Sequence, residues 1–445
     1  MIKTLVKKIL PKSVWNLRHL FYAAYGAFKY KFPSKKLFII GVTGTSGKSS
    51  TIYILHQLLE NAGFTVGSLS TIEFHIGQDA KLNDKKMTML GRTAIQRYLR
   101  RMVDEGIDIA IVETTSEGRV QHRHRFIEYD VMMLTNLYPE HIESHGSFKA
   151  YKQAKVDIFD YAASLKRKNR SALTTRVQKV LQSPKVQKQA IICKDVDHHG
   201  PFASDAFDSV KYFGHKPSEF QFTKVGQSAE GLHFSINDTK VQAPLFAAYN
   251  AHNITAAVAA AASLGCSEES LKEALTTLKP IPGRIEFITA AEQYGFKAIV
   301  DYAFEPVAIA ALYEVVRLLK PNKIIHVFGS TGGGRDVARR FSVGEFVGLN
   351  ADYCIVTDED PYDDDPMEIM NDVAKALRDV GKKEGVDMII EPDRSRAIAL
   401  AVKRAAPGDV VLVTGKGSEQ AMFVKGELLP WDDRVELRKA LSSKA

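Results

Sequence analysis

A glycine-rich run, G-V-T-G-T-S-G-K-S-S-T at residues 41–51, constrains the fold of this chain more than any other segment. It follows an apolar stretch, Leu37–Ile40, and precedes a helical pattern that starts at Ile52. A strand, a glycine turn and a helix in this order form a phosphate cradle, because the turn amides and the positive end of the helix dipole face the anion. The strict spacing of such loops would place glycine where Val42 stands, and a chance glycine turn is the alternative.

The residues of this run have the chemistry that a nucleotide needs. Lys48 would neutralise phosphate charge, and the Ser49 hydroxyl would complete the ligand shell of Mg²⁺. The residues predicted to bind the nucleotide are Gly44, Thr45, Ser46, Gly47, Lys48, Ser49 and Ser50.

Length and composition predict a globular protein of several domains. A chain of 445 residues exceeds what one hydrophobic core usually organises, so two or three domains are expected. The three cysteines form no C-x-x-C pair, which suits a reducing compartment and argues against a zinc ribbon. Residues 1–36 hold nine Lys or Arg and no acid, so the net charge of +8 belongs to this arm and indicates no nucleic-acid-binding surface.

The basic arm at residues 1–36 has two interpretations. Between Val14 and Tyr30 it mixes aromatic, aliphatic and basic residues, a composition that can lie in an anionic membrane interface. A helix packed on the nucleotide-binding domain, with its lysines in solvent, is the alternative. No stretch approaches the ~18 apolar residues that span a bilayer, and the arm lacks a small-residue cleavage site. We therefore expect a cytoplasmic protein that touches membrane at most peripherally.

The pattern along the chain predicts two α/β domains. From Leu37 onward, short apolar runs alternate with helical patterns, as in βαβ units around a parallel sheet. Residues 208–245 instead read as short alternating strands, and the Pro/Gly cluster at 279–283 marks a boundary. We predict a central P-loop ATPase domain with a mostly parallel sheet at 37–284 and a C-terminal Rossmann-like α/β domain at 285–445. The second domain has no G-x-G-x-x-G after its first strand, so no dinucleotide is implied.

Two further segments follow predicted strands of the central domain. Glu113 ends the apolar strand at 107–112, and a carboxylate at this end of a parallel strand, facing the phosphate loop, is placed to bind Mg²⁺. A solvated acid at the strand end is the alternative. Arg123 and Arg125 lie nearby in the sequence and favour an anionic substrate, with a solvated basic turn as the alternative.

These motifs, in this order, resemble the Mur ligase family, the ATP-dependent amide-forming ligases of peptidoglycan assembly. The phosphate loop has the T-G-T-x-G-K-S form of that family, and further segments match as far as about residue 440. The similarity is greatest to members that add the third residue of the stem peptide. It implies an ADP-forming ligase that joins a carboxylate to an amine through an acyl phosphate. ATP, two Mg²⁺ ions and small-molecule substrates are implied with it, and the oligomeric state is left open.

The resemblance also implies roles for individual residues of the central domain. Lys48, Glu113, His141 and Lys155 would be catalytic, with Ser49 as a further metal ligand. His141 would bind the second Mg²⁺, although from its chemistry alone a structural role is favoured. Lys155 would be carbamylated, since burial of an ε-amine favours the neutral form that reacts with CO₂. An ordinary helix-surface lysine is the alternative.

Further implied roles concern the substrates and the nucleotide. Thr115 and Ser116 would contact the carboxylate substrate, Asn253 would contact adenine, Arg284 the phosphates and Asp301 the ribose. Phe304 stands where the family usually has a histidine. The amino-acid site would include Glu359, Asp360, Gly415 and Glu419.

The segment at 357–362 departs from the members that add diaminopimelate, which carry arginine where Tyr362 stands. The acidic residues around it favour a cationic amine over a second carboxylate, with solvated acids as the alternative.

The start of the chain also departs from the family. Full-length members carry a UDP-sugar domain before the phosphate loop, where this chain has 40 residues, so UDP binding in the usual manner is in doubt. The predicted function is addition of an amino acid to a muramoyl-peptide carboxylate. A non-UDP acceptor (polyglutamate, cyanophycin-like or lipid-linked) and a P-loop NTPase switch are the alternatives.

Overall fold

The computed structural model describes residues 12–139, 145–334 and 337–444, with the backbone alone at 12–15. An N-terminal helix, α1 (Lys12–Lys29), packs beside the central domain. No helix in this described part of the chain has the length and apolarity that a bilayer-spanning segment needs.

The central domain is built on a mixed sheet of eleven strands, in the order β11-β10-β9-β8-β7-β6-β1-β5-β2-β3-β4. The strands from β2 through β5, β1, β6, β7 and β8 to β9 pair in parallel, and both ends finish in antiparallel hairpins. Their bounds are β1 Phe38–Thr43, β2 Val66–Leu69, β3 Glu73–Ile76, β4 Asp79–Leu82, β5 Ile109–Glu113, β6 Val131–Leu134, β7 Gln189–Cys193, β8 Ser209–Gly214, β9 Phe220–Ser228, β10 Gly231–Ile236 and β11 Thr239–Ala243.

The helices of this domain cover a sheet whose central strands are buried on both faces. All six residues of β1 are buried, as expected of a parallel strand with helices on either side. The helices are α2 Lys48–Asn61, α3 Arg92–Asp104, α4 Ser116–Val120, α5 Phe148–Ser164, α6 Thr175–Val180, α7 Tyr249–Ser263 and α8 Glu268–Thr276. The alanine-rich α7 packs against α2, since small side chains allow the two helices to approach closely.

The C-terminal domain has a six-stranded sheet, in the order β12-β13-β17-β14-β15-β16, that is parallel except at β12. A small hairpin of β18 and β19 stands apart from it. The strands are β12 Glu286–Phe287, β13 Lys297–Asp301, β14 Ile324–Phe328, β15 Tyr353–Val356, β16 Met388–Ile390, β17 Val410–Thr414, β18 Ala421–Val424 and β19 Glu427–Pro430. The helices are α9 Pro306–Leu318, α10 Ala338–Asn350, α11 Pro366–Asp379, α12 Arg394–Arg404 and α13 Asp433–Ser442.

The predicted α/β fold class is confirmed. The strands expected at 38–42, 107–112 and 131–135 lie within two residues of β1, β5 and β6. The short strands expected at 208–245 form β8 to β11, which extend the central sheet along one edge. Residue 284 lies between β11 and β12, that is, between the two sheets, and we keep it as the proposed domain boundary.

Candidate functional site

The phosphate loop joins the buried end of β1 to the first turn of α2, and its shape depends on two glycines. Gly44 and Gly47 have φ of 154° and 73°. A Cβ atom on Gly44 would lie 1.9 Å from Thr135 Oγ1, and one on Gly47 would lie 2.3 Å from Asn253 Oδ1. Both positions therefore need glycine. Val42 is buried within β1 opposite Glu113, so position 42 belongs to the strand and the loop begins after it.

The loop and the helix after it present groups suited to an anion. Lys48 Nζ donates to the carbonyl oxygens of Gly44 and Thr45, at 3.2 and 2.8 Å. The amides of Thr45 and Ser46 donate to Asn136 Oδ1 at 3.0 and 2.9 Å, which fixes the loop from the next strand. The first-turn amides of α2, which include those of Ser49 and Ser50, have no acceptor within the helix and carry its positive dipole end. This arrangement fits the phosphates of ATP.

Glu113 lies at the carboxyl end of β5, next to the loop, and is 1% exposed. Its Oε2 accepts from Ser49 Oγ at 2.9 Å and from the amide and hydroxyl of Thr71 at 2.7 and 3.0 Å. Ser49 and Glu113 thus contact each other, as two ligands of one ion would. Hydroxyl and carboxylate oxygens are the donors that Mg²⁺ prefers, so this pair fits that ion.

Lys155 approaches the same loop from α5. It is 1% exposed, and its Nζ donates to Gly44 O at 2.8 Å and to Thr43 Oγ1 at 3.5 Å. The Nζ also lies 4.5 Å from the centre of the Tyr151 ring. The lysine therefore faces inward to the loop and does not lie on the helix surface. His141 lies outside the described residues.

The two hydroxyls expected to contact a carboxylate substrate lie at the start of α4. Thr115 caps this helix and accepts from the Gly118 amide at 3.0 Å, while Ser116 Oγ lies 3.1 Å from His145 Nε2. Both side chains follow β5 directly, close in sequence to Glu113. Their role with substrate stays a prediction.

The two arginines beyond α4 have contacts within the protein. Arg123 donates to the Met89 carbonyl and to Gln121 Oε1, the latter at 2.7 Å. Arg125 places its guanidinium 5.2 Å from the Tyr161 ring centre. Arg123 is therefore held in one orientation by neutral acceptors, which leaves its charge without a carboxylate partner among these contacts. Binding of an anionic substrate by these residues stays a prediction.

Asn253 lies on α7 and contacts the phosphate-loop helix. Its Nδ2 donates to Asn250 Oδ1 at 2.8 Å, and its Oδ1 accepts from Thr51 Oγ1 at 3.4 Å. Its Oδ1 is also the atom that a Cβ on Gly47 would meet. The structure therefore places Asn253 beside the nucleotide loop, and its contact with adenine stays a prediction.

Arg284 and Asp301 meet at the domain junction. The Arg284 guanidinium lies 4.0 Å from the centre of the Tyr302 ring. The Asp301 carboxylate accepts from the amides of Ile285 and Ala303, each at 2.7 Å. Burial raises the pKa of Asp301, and the nearby charge of Arg284 opposes that rise. Asp301 thus fixes the turn that carries Arg284, and a bound ribose would need one of its remaining acceptor positions.

At the expected amino-acid site, two of the acidic residues form ion pairs with lysines. The Asp360 carboxylate lies 2.5 Å from Lys86 Nζ and 2.8 Å from Lys416 Nζ, and Lys416 also lies 2.6 Å from Glu419. Two ammonium groups therefore already neutralise Asp360 and Glu419. Of the acids expected to favour a cationic amine, Asp360 has internal partners, and the preference for a cationic amine stays a prediction.

Glu359 lies next to this ion-pair cluster, whose charges act on its carboxyl group. Burial raises the pKa of Glu359 to about 7. A Cβ atom on Gly415 would lie 2.3 Å from Glu359 Oε2, so the glycine backbone packs directly on the carboxyl group. The predicted residues Glu359, Asp360, Gly415 and Glu419 thus lie together at the carboxyl edge of the second sheet.

Three residues at this site were not expected from the sequence. Asn136 fixes the phosphate loop, Thr71 holds Glu113, and Lys86 crosses from the central domain to Asp360. Asn136 directly follows β6, so the rule that ligands bind at carboxyl ends of parallel strands could have indicated it. No local pattern distinguishes Thr71 or Lys86 from other polar loop residues.

Two family models match the chain. The one described as "Mur ligase middle domain" matches residues 42–261, and the one described as "Mur ligase, glutamate ligase domain" matches residues 283–417. The first range includes the phosphate loop, Glu113 and Lys155. The second includes Arg284 and Asp360.

Relatives are similar along almost the whole chain. A UDP-N-acetylmuramyl-tripeptide synthetase of Roseiflexus sp. (strain RS-1) is 32% identical over 431 residues, which cover 94% of this chain and 81% of the relative. A UDP-N-acetylmuramoyl-L-alanyl-D-glutamate--2,6-diaminopimelate ligase of Geobacillus kaustophilus (strain HTA426) is 30% identical, with coverage of 93% and 81%. A solved structure of a ligase with the latter name has a TM-score of 0.58 at 26% identity, with coverage of 92% and 79%.

Proposed function

The chain belongs to the Mur ligase family, and we propose that its reaction takes place at the carboxyl edge of the central sheet. It is an ATP-dependent, ADP-forming amide ligase that adds an amino acid to a peptidoglycan precursor. One observation carries the assignment of the site: Ser49, Glu113 and Lys155 come from three different elements and all contact the phosphate loop or one another.

The first step transfers a phosphoryl group. Lys48 and the first-turn amides of α2 would bind the phosphates of ATP. Ser49 and Glu113 would hold one Mg²⁺, and Lys155 as a carbamate, with His141, would hold a second. When bound, these ions stabilise the negative charge on the transferring group.

Amide formation follows the phosphoryl transfer. In the first step the acceptor carboxylate attacks the γ-phosphorus, which gives an acyl phosphate and releases ADP. In the second step the amine attacks the acyl carbon, loses a proton and displaces inorganic phosphate. Exclusion of water protects the acyl phosphate from hydrolysis. The Lys86–Asp360 ion pair joins the two domains across this site and would help to keep it closed.

We assign the acceptor as a muramoyl peptide with a free carboxylate, by similarity to the relatives named above. The alternatives from the sequence analysis, a polyglutamate, cyanophycin-like or lipid-linked acceptor and an NTPase switch, are not favoured, because both Mur domain models match.

Product analysis tests this assignment. The full chain is incubated with ATP, Mg²⁺, a panel of UDP-muramoyl peptides and single amino acids, and ADP release and product mass are measured. We expect ADP release only when acceptor and amino acid are both present, with a product heavier by one amino-acid residue. Full ADP release without either substrate would instead indicate a switch. Turnover restricted to acceptors without UDP would overturn the muramoyl-nucleotide acceptor while keeping the ligase.

Carbamylation of Lys155 has its own test. The neutral ε-amine would add to CO₂ and lose a proton, which gives a carbamate oxygen beside the loop. In full-length protein equilibrated with ¹³C-bicarbonate, we expect one carbamate resonance that Lys155→Ala removes. Lys152→Ala, one turn earlier on the half-buried side of α5, is the matched control and should keep it. A wild-type protein without the resonance would overturn the carbamate.

We also propose that α1 lies on an anionic membrane surface. Leu17, Phe21 and Phe28 are 69%, 65% and 77% exposed and lie on one face of the helix. The opposite face, with Ala23 and Ala27, is buried against the central domain. Residues 1–36 carry basic charge without any acid, so apolar insertion and attraction to anionic headgroups would act together.

Flotation of the full chain with phosphatidylglycerol-containing vesicles tests this surface. We expect binding that high salt weakens and that Phe21→Glu with Phe28→Glu abolishes. Val307→Glu changes an 81% exposed apolar residue on α9 and is the matched control. Equal flotation of wild type and the α1 double variant would overturn the proposal.

A further inference from the structure

A cluster of histidines and acids lies on α2 beyond the phosphate loop. His56 and Glu60 are four residues apart and so share one face of the helix. Glu73 and His75 are two residues apart on β3 and so share one face of the strand. The two faces meet, since the imidazole rings of His56 and His75 stack with centres 4.1 Å apart.

The polar atoms of this cluster are close together and incompletely paired. His56 Nε2 lies 3.3 Å from Glu60 Oε1, and His75 Nδ1 lies 3.5 Å from Glu73 Oε1. Beyond these two carboxylate contacts, the ring nitrogens of His56, which is 3% exposed, and Nδ1 of His75 have no hydrogen-bond partner. A buried nitrogen without a partner is costly, so His56 Nδ1 needs an explanation.

We propose that His56, Glu60 and His75 bind a divalent transition-metal ion of the zinc class. One donor atom from each of the three lies within 4.8 Å of the others. A tetrahedral zinc ion with bonds of about 2.1 Å holds its ligand atoms roughly 3.4 Å apart, so the His56–Glu60 spacing of 3.3 Å already fits. The His75 nitrogen needs to approach the other two atoms by at most about 1.4 Å.

The donor set distinguishes this ion from the one at the phosphate loop. Two imidazoles and a carboxylate suit zinc and its neighbours, whereas Mg²⁺ takes oxygen ligands. Glu73 Oε1 lies 3.5 Å from His75 Nδ1, where a carboxylate would orient a histidine that binds the ion through Nε2. Glu60 is the most exposed of the four and gives the ion access from solvent.

A second cluster of possible ligands does not carry the same inference. Cys193, Asp195 and His252 also lie within 4.8 Å of one another. The Asp195 carboxylate already accepts from the amides of His215 and Lys216 at 2.7 and 2.8 Å. Cys193 Sγ lies 3.2 Å from His252 Nε2, so this pair is satisfied without an ion.

The position of the His56 site predicts its effect. The helix α2 starts at Lys48 of the phosphate loop, and β3 belongs to the antiparallel edge of the sheet. A bound ion would fasten this edge hairpin to the helix that carries the nucleotide loop. The site would therefore stabilise the central domain without taking part in ligase turnover.

Metal titration of the full-length protein tests the proposal. Chelator-treated protein without nucleotide is titrated with Co²⁺, whose visible absorption reports nitrogen and oxygen ligands in low symmetry, and then with Zn²⁺ in competition. We expect one Co²⁺ per chain, displaced by Zn²⁺, and a Zn²⁺-dependent rise in Tm. Glu60→Gln and His75→Asn should each weaken Zn²⁺ binding by roughly 10–100-fold and remove the rise in Tm.

Controls keep the outcome decisive. His233 is exposed on β10 of the same sheet, so His233→Asn should leave Co²⁺ binding unchanged. Glu60 lies at the surface, so Glu60→Gln tests the site even where His75→Asn folds poorly. Wild-type protein without Co²⁺ absorption, or absorption that survives Glu60→Gln at full affinity, would overturn the proposal. Neither result bears on the ligase, because turnover is measured separately with Mg²⁺ alone.

Discussion

The carboxyl edges of the two sheets carry charged residues in contrasting ways. At the central sheet, Glu113 and Lys155 are held by hydroxyls and backbone groups of their own domain. At the C-terminal sheet, Asp360 and Glu419 are held by ammonium groups, and one of these, Lys86, comes from the other domain. The proposed nucleotide site is thus preformed within one domain, whereas the proposed amino-acid site is completed by both.

This difference has an energetic consequence. Neutral partners leave the charge of Glu113 available to a metal ion, which suits transfer of a highly charged phosphoryl group. In the ion pairs at Asp360, the carboxylate and ammonium charges cancel. A substrate that binds there must therefore displace one of these groups or join their network. Changes at the first edge should therefore affect chemistry, and changes at the second edge should affect substrate binding.

The largest expected effect is at Lys48. We expect Lys48→Met to lower kcat/KM for ATP by roughly 10³-fold, because the phosphates lose a cation that acts in the transition state. ADP release with saturating acceptor and amino acid measures it. Lys36→Met removes the same charge from an exposed position before β1 and should stay within about twofold of wild type. A Lys48→Met enzyme within about tenfold of wild type would contradict the assigned site.

Glu113→Gln is expected to lose less activity than Lys48→Met. Glu113→Gln keeps the shape but removes the charge that would bind Mg²⁺, so kcat should fall by about 10²-fold and the Mg²⁺ concentration for half-maximal rate should rise. The rate is measured across a Mg²⁺ series. Glu117→Gln, at an exposed position in the first turn of α4, should leave the Mg²⁺ series unchanged. An unchanged Mg²⁺ series in Glu113→Gln would exclude it as a ligand.

The sequence predicted the first edge better than the second, for a physical reason. The glycines at 44 and 47, Lys48 and Ser49 act through a contiguous turn, and Glu113 directly ends a buried strand, so local patterns contain their geometry. Glu359, Asp360, Gly415 and Glu419 also lie together, and their role with the amino acid stays a prediction. The partner of Asp360 could not be predicted, because Lys86 is 274 residues away from it in the chain. A long-range ion pair leaves no periodic pattern in the amino-acid sequence.

A change at Lys86 can therefore distinguish the effects of the two edges on substrate binding. We expect Lys86→Met to raise KM for the amino acid by about tenfold, since it breaks the interdomain ion pair, while KM for ATP stays constant. Initial rates with each substrate varied in turn measure this split. Lys85→Met is the matched control, because the neighbouring Lys85 pairs with Asp84 at the surface. Lys86→Arg should recover part of the loss, and an equal rise in both KM values would refute the separation.

The smallest effect concerns the buried Glu359. Its pKa is raised from its ordinary 4.5 to about 7 by burial, with Arg394 opposing the rise. The folded state thus binds the proton more tightly than the unfolded state, so the stability that this group contributes is full below pH 4.5 and is lost as pH rises through about 7. Glu359→Gln stays neutral at every pH. The free energy of unfolding of this variant, relative to that of wild type, should therefore increase by roughly 1–3 kcal/mol when the pH rises from about 5 to about 8. Urea unfolding at both pH values measures the gain, and the exposed Glu368→Gln should show none. A gain that does not change with pH would mean that Glu359 is ionised throughout, and the second edge would then carry one more buried charge than its lysines neutralise.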